Sequence, residues 1–182
     1  MEKNNDFLIW IEFKKGSKNA LNKIFLENYD YLFGYGIKLK TDNEFIKDCI
    51  QDLFLKLWKN RERLNEVNSI KLYLLKSLRR LIIDKLSSKS KLIFKKPFCE
   101  KEFDIEYSHE DFIINNERSN EIKNKLNRAL NNLPKRQRET IYLRYFEGLS
   151  IKDISEIMSL KVQCVRNNIY KGLKTLKDII SS

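Results

Sequence analysis

Near the C-terminus, Lys161, Gln163, Arg166, Asn167, Tyr170, Lys171 and Lys174 stand opposite an apolar rhythm of helical period. Their chemistry is that of nucleic-acid readout. Ammonium and guanidinium groups meet phosphates, while amide or guanidinium forks match base edges in a major groove. The opposing residues, Val162, Val165, Ile169, Leu173 and Leu176, form a stripe expected to be buried. A helical hairpin whose polar side simply faces water fits the same pattern, and the spacing alone leaves both readings open.

Elements that hold such a face can be read from the punctuation before it. Pro134 suits the first turn of a helix, where a missing N–H is harmless. Gly148 suits the left-handed residue that ends that helix. Ser150 followed by Asp153 forms a capping-box pattern that starts a second short helix. The break at Ser159-Leu160-Lys161 has the length of a helix-turn-helix corner. That corner and the local excess of positive charge favour DNA as the partner of the last helix.

Further upstream, three amphipathic helices are expected. From Asn43 to Asn60 the apolar positions are Phe45, Ile46, Cys49, Ile50, Leu53, Phe54, Leu57 and Trp58. From Ser69 to Leu86 they are Ile70, Tyr73, Leu74, Leu78, Leu81, Ile82 and Ile83. An earlier helix, from about Asn19 to Lys40, carries Phe25, Tyr29, Leu32, Phe33 and Tyr35, with Gly34 and Gly36 weakening the signal for its continuity. Together these make a helical bundle of independent size.

Charge separates the parts. Residues 1–90 hold 18 basic and 12 acidic side chains (+6), residues 91–120 hold 5 and 7 (−2), and residues 121–182 hold 13 and 6 (+7). Two cationic bodies joined by an acidic strap point to nucleic acid or another anionic surface. Cys49, Cys99 and Cys164 have neither zinc nor disulfide spacing, which favours a reducing cytoplasm. The apolar run from Phe7 to Phe13, interrupted by Glu12, is too short for a membrane span, so no membrane insertion is expected. His109 stands alone in the strap, and no nucleophile–base pair, metal cluster or phosphate-cradling loop is visible. No catalytic residue, metal or cofactor is therefore expected.

The stretch "LPKRQRETIYLRYFEGLSIKDISEIMSLKVQCVRNNIYKGLKTL" closely resembles the C-terminal domain of bacterial RNA polymerase sigma factors of the extracytoplasmic-function (ECF) group of the sigma-70 family. Leu133, Pro134, Arg138, Glu139, Leu143, Arg144, Tyr145, Glu147, Gly148, Leu149, Ser150, Ile154 and Val165 carry that likeness. "DCIQDLFLKLW" resembles the segment of sigma domain 2 that docks on the clamp helices of the largest polymerase subunit. "YLLKSLRRLIID" resembles the segment that melts and reads the −10 promoter element.

The resemblance covers roughly two-thirds of the chain and implies an all-α protein of two small helical domains joined by an acidic flexible linker. Residues 15–88 would form sigma domain 2, residues 89–120 the linker, and residues 121–180 the helix-turn-helix domain 4. It implies a core-polymerase surface at Asp48, Gln51, Phe54 and Trp58. It places −10 contacts at Tyr73, Lys76, Arg79 and Arg80, with a base-holding loop from Leu64 to Ser69. The −35 contacts would be Lys161, Gln163, Arg166, Asn167, Tyr170 and Lys171. Partners implied are the core polymerase through its clamp helices and flap, promoter DNA, and an anti-sigma factor.

This chain departs from the family at several of these positions. Tyr73 stands where Trp is frequent, Arg80 where Asn is frequent, Cys164 where Thr is frequent, and Asn168 where a basic residue is frequent. Lys161 replaces a frequent Ser cap, and loss of that hydroxyl costs about 1 kcal/mol of local helix stability. A stand-alone helix-turn-helix regulator and a helical adaptor that binds only protein are the competing readings. The segment from residue 44 to residue 86 has no evident use in the former. The latter predicts no salt-dependent DNA binding.

Overall fold

The computed structural model describes residues 2–91 and 125–181. The acidic connector assigned to residues 89–120 lies almost wholly outside the described residues, as do Cys99 and His109. The first of two compact units holds α1 (Glu2–Lys14), α2 (Lys18–Leu39), α3 (Asn43–Asn60), a 3₁₀ turn (Arg61–Arg63) and α4 (Ile70–Lys91). The second holds α5 (residues 125–131), α6 (Lys135–Ile141) with a π-helical extension (Tyr142–Phe146), α7 (Ile151–Met158) and α8 (Val162–Ser181). No strand occurs among the described residues, which makes both units all-α.

α3 forms as its spacing requires. Asp42 accepts from the Phe45 N–H and caps it, and Ile46, Cys49, Ile50, Leu53, Phe54 and Leu57 are buried. α4 supplies Ile70, Leu74, Leu75, Leu78, Leu81, Ile82 and Leu86 to the same core. An ion pair of 2.6 Å between Lys85 and Asp52 joins the two helices at the bundle surface. Burial pulls the Lys85 ammonium down. The Asp52 hydrogen bond and the negative charge of Cys49, Asp52 and Asp48 outweigh it, leaving the pKa above the ordinary lysine value.

α2 differs from its expected stripe. It runs unbroken through both glycines, and its buried face is Ala20, Ile24, Asn28, Leu32, Tyr35, Gly36 and Leu39. Asn28 is tolerated there because its Nδ2 donates to the Ile24 carbonyl at 2.8 Å. Phe25, Tyr29 and Phe33 form an aromatic ladder along the flank, with centroids 5.2 and 6.1 Å apart. Gly36 exists for close approach. A Cβ built there would lie 2.6 Å from Cγ2 of Ile46 on α3. Replacing Gly36 with Ala is thus expected to destabilise the first unit by about 1–3 kcal/mol, because a branched methyl cannot swing aside. Denaturant titration checks this, and Ile46→Ala in the same chain should recover part of the loss.

α1 was not expected from the sequence, and the range 15–88 leaves it out. It nevertheless packs on α2 and contributes Ile9, Trp10 and Phe13 to the core, the last two fully buried. No helix among the described residues is long and apolar enough to cross a membrane.

In the second unit the punctuation acts as expected, with one shift. Pro134 is the N-cap of α6 rather than its first helical residue, and its carbonyl accepts from the N–H groups of Gln137 and Arg138. Gly148 is left-handed (φ 65°). The capping box is complete: Ser150 Oγ accepts from the Asp153 N–H, and Asp153 accepts from the Ser150 N–H. Buried Arg138 donates to the carbonyls of Asn131 and Leu133, satisfying the end of α5.

Candidate functional site

Three surfaces bring together residues singled out above. The first is an open groove of about 590 Å³ between α2 and α3. Its walls are mostly apolar and aromatic (Leu21, Phe25, Tyr29, Ile50, Phe54, Leu55), and Lys18 and Lys47 also line it. Gln51, Phe54 and Trp58 line this groove; Asp48, which is exposed, does not.

Phe54 serves both the core and the groove wall. It is 7% exposed and meets Phe25 edge-on at 5.0 Å. Trp58 lies 6.3 Å from Phe13 and under the Arg61 guanidinium, 4.5 Å from the ring centre, which fixes its indole. Leu55, 59% exposed, is not among the residues that the resemblance singles out. Its signal was an apolar residue off the buried stripe, one turn after Gln51. Exposed apolar surface beside fixed aromatic rings and polar edges is what a partner helix requires.

The second surface is a pocket of about 350 Å³ lined by α3 (Leu53, Lys56, Leu57, Asn60), Leu64, and α4 (Tyr73, Ser77, Arg80, Leu81, Asp84). Tyr73 and Arg80 share it, whereas Lys76 and Arg79 lie outside its lining. Arg80 and Asp84 approach to 3.8 Å but are 85% and 64% exposed, so the pair is weak and leaves the guanidinium available. Lys56 and Asn60 join through the packing of α3 on α4, which no local sequence pattern announces. A half-buried tyrosine ring beside cations suits an unstacked base next to a phosphate chain.

The third surface is α8. The corner before it is built by Ser159 in the left-handed region (φ 53°), with the Leu160 N–H closing back on the Ser155 carbonyl at 2.9 Å. The buried stripe is rotated from the one expected. Val165 and Leu176 are buried and Ile169 is half-buried, but Val162 and Leu173 are 39% and 42% exposed. Asn168 and Gly172 turn inward instead. Asn168 Nδ2 lies 3.4 Å from Thr140 Oγ1, and a Cβ on Gly172 would stand 3.1 Å from Ile141. The absence of that side chain lets α8 settle against α6, which draws the helix round.

Lys161, Gln163, Arg166, Asn167, Tyr170 and Lys171 are all exposed. Gln163 and Asn167 are joined by a side-chain hydrogen bond of 3.1 Å, which presets two amide groups on one helix face.

Comparison with known proteins agrees with this arrangement. The sequence model "Sigma-70 region 2" matches residues 24–92, and "Sigma-70, region 4" matches residues 123–176. The RNA polymerase sigma factor SigV of Bacillus subtilis is 27% identical over 71% of this chain and 72% of its own. The ECF RNA polymerase sigma factor SigW of the same organism is 24% identical over 90% of each. Among solved structures, CnrH in complex with the cytosolic domain of CnrY matches over 97% of both chains (TM-score 0.64, 14% identity). The sigma factor RpoE bound to the anti-sigma factor NepR from Bartonella quintana matches over 88% of this chain and 96% of its own (TM-score 0.62, 18% identity). With both sigma-70 regions present in series on two helical units, and an ECF sigma factor matching over 90% of its length, the chain belongs to the ECF group of the sigma-70 family.

Proposed function

We propose that this protein is a sigma factor that binds the RNA polymerase core and directs initiation at promoters carrying −10 and −35 elements. The observation that carries the reading is the pairing, in one chain, of the two sigma-70 regions with an open, mostly apolar groove on the first and an exposed cationic helix on the second. A stand-alone DNA-binding regulator has no work for the groove.

In this reading the groove at Gln51, Phe54 and Trp58, with Asp48 alongside, receives the clamp helices of the core. The pocket holding Tyr73 and Arg80, flanked by Lys76 and Arg79, takes unpaired −10 bases. α8 reads the −35 duplex through Lys161, Gln163, Arg166, Asn167, Tyr170 and Lys171. The second unit also meets the flap. The protein contributes no bond-making chemistry of its own and works in the cytoplasm, where the polymerase is. An anti-sigma factor, as in the complex of RpoE with NepR, would act by covering these surfaces.

Reconstitution tests this. Core polymerase supplemented with the protein should start transcription at a discrete set of genomic sites sharing two elements, and core alone should not. Silence of the supplemented enzyme on fragments covering the genome, together with failure to co-purify with core, would overturn the assignment.

A further inference from the structure

The element absent from the sequence reading, α1, bears on the second surface. Asp6 and Trp10 lie one turn apart on α1 and reach opposite ends of the 64–69 loop. Trp10 Nε1 donates to the Asn65 carbonyl at 2.9 Å, and Asp6 Oδ2 accepts from the Ile70 N–H at 3.1 Å, across 55 and 64 residues of chain. The second bond also satisfies a free N–H at the start of α4 with a carboxylate, where the helix dipole favours negative charge. The indole, fully buried, stands edge-on to Tyr73 with centroids 5.3 Å apart. One helix face therefore touches the start of the loop, its end, and the aromatic ring of the pocket that Leu64 helps to line.

We propose that Asp6 and Trp10 are positioning residues for −10 recognition, clasping the 64–69 loop at both ends and setting the angle of Tyr73. This rests on the −10 reading given above. Neither residue need touch DNA. A loop of six residues left free would have to be ordered as the base enters, and that entropy would be subtracted from capture. With the clasp in place the pocket is shaped beforehand.

The test uses holoenzyme assembled from core polymerase and the full chain, on a mapped promoter with 2-aminopurine scanned through the −10 non-template strand. This base brightens when unstacked. The parental holoenzyme should brighten one position strongly. Asp6→Ala should weaken that signal about tenfold, on the scale of a lost charge-assisted hydrogen bond. It should also narrow the preference for the promoter over a −10-substituted template. Asp6→Asn, which keeps an acceptor, should retain most of both. Trp10→Phe should resemble Asp6→Ala, and core affinity should be unchanged in all three.

Asp6 is only half-buried, so its variants decide the matter even if Trp10→Phe loosens the core. If Asp6→Ala keeps the parental brightening and the parental template preference, the clasp is structural only and the proposal fails. If the parental holoenzyme initiates but brightens no −10 base, the −10 reading itself fails and takes the clasp with it.

Discussion

Leu55→Asp is expected to abolish initiation by lowering affinity for core polymerase at least thirtyfold, while the unfolding transition stays within experimental error of the parent. The argument starts from exposure. Leu55 is 59% exposed, so little of the fold depends on it, and surface substitutions of this kind shift stability by only about 0.5 kcal/mol. The same side chain lines the groove with Phe25, Phe54 and Trp58, where a docked helix would cover it. An aspartate there is too short to reach water past a docked helix, so its charge would be stripped of solvent without a partner. Losses of about 2–5 kcal/mol follow from unpaired charges at interfaces, equivalent to roughly 30- to several-thousand-fold in affinity. Leu55→Met, which conserves volume and polarity, should bind nearly as the parent does. Titration of labelled core with each variant measures this, and parental affinity for Leu55→Asp would remove the groove as the docking surface.

How far these surfaces could be foreseen depended on whether their causes are local. The capping box of Ser150 and Asp153, the left-handed Gly148 and the period of α3 are settled by neighbours within four residues, and each is present. The helix-turn-helix corner was visible for the same reason. α1 was not, because its part in the bundle depends on two buried rings and on bonds to Asn65 and Ile70 far along the chain.

On α8 the polar face is exposed as its spacing implies, but the apolar stripe is out of phase. An apolar count takes Val162 and Leu173 as buried, whereas the close approach at Gly172 turns the helix so that Asn168 goes in. A residue without a side chain gives no apolar signal, yet it decides which neighbours can touch. The groove shows a related effect. Its aromatic rings come from both helices, Phe25 and Tyr29 from α2 and Phe54 and Trp58 from α3, so only the packing of the two makes it a surface.

Arg166→Ala should weaken promoter capture by holoenzyme about 5- to 150-fold and leave core binding unaltered, provided α8 lies in the major groove of the −35 element. Positions 163, 166, 167 and 170 form a single exposed ridge, and Arg166 is its one permanently charged fork. The neighbouring amides of Gln163 and Asn167 are already bonded to each other at 3.1 Å, so they present a fixed pattern of one donor and one acceptor edge. A guanidinium beside that pattern can engage a guanine through two bonds, and removing it costs discrimination as well as affinity. Lys171→Ala differs in kind. As a phosphate contact it should lower affinity uniformly across −35 sequences and reduce the salt slope of binding by about one. Filter or anisotropy titrations at several salt concentrations, on the native and a −35-substituted duplex, separate the two. If Arg166→Ala lowers both affinities equally, the guanidinium contacts phosphate rather than base; if it changes neither, α8 is not the helix that reads the upstream element.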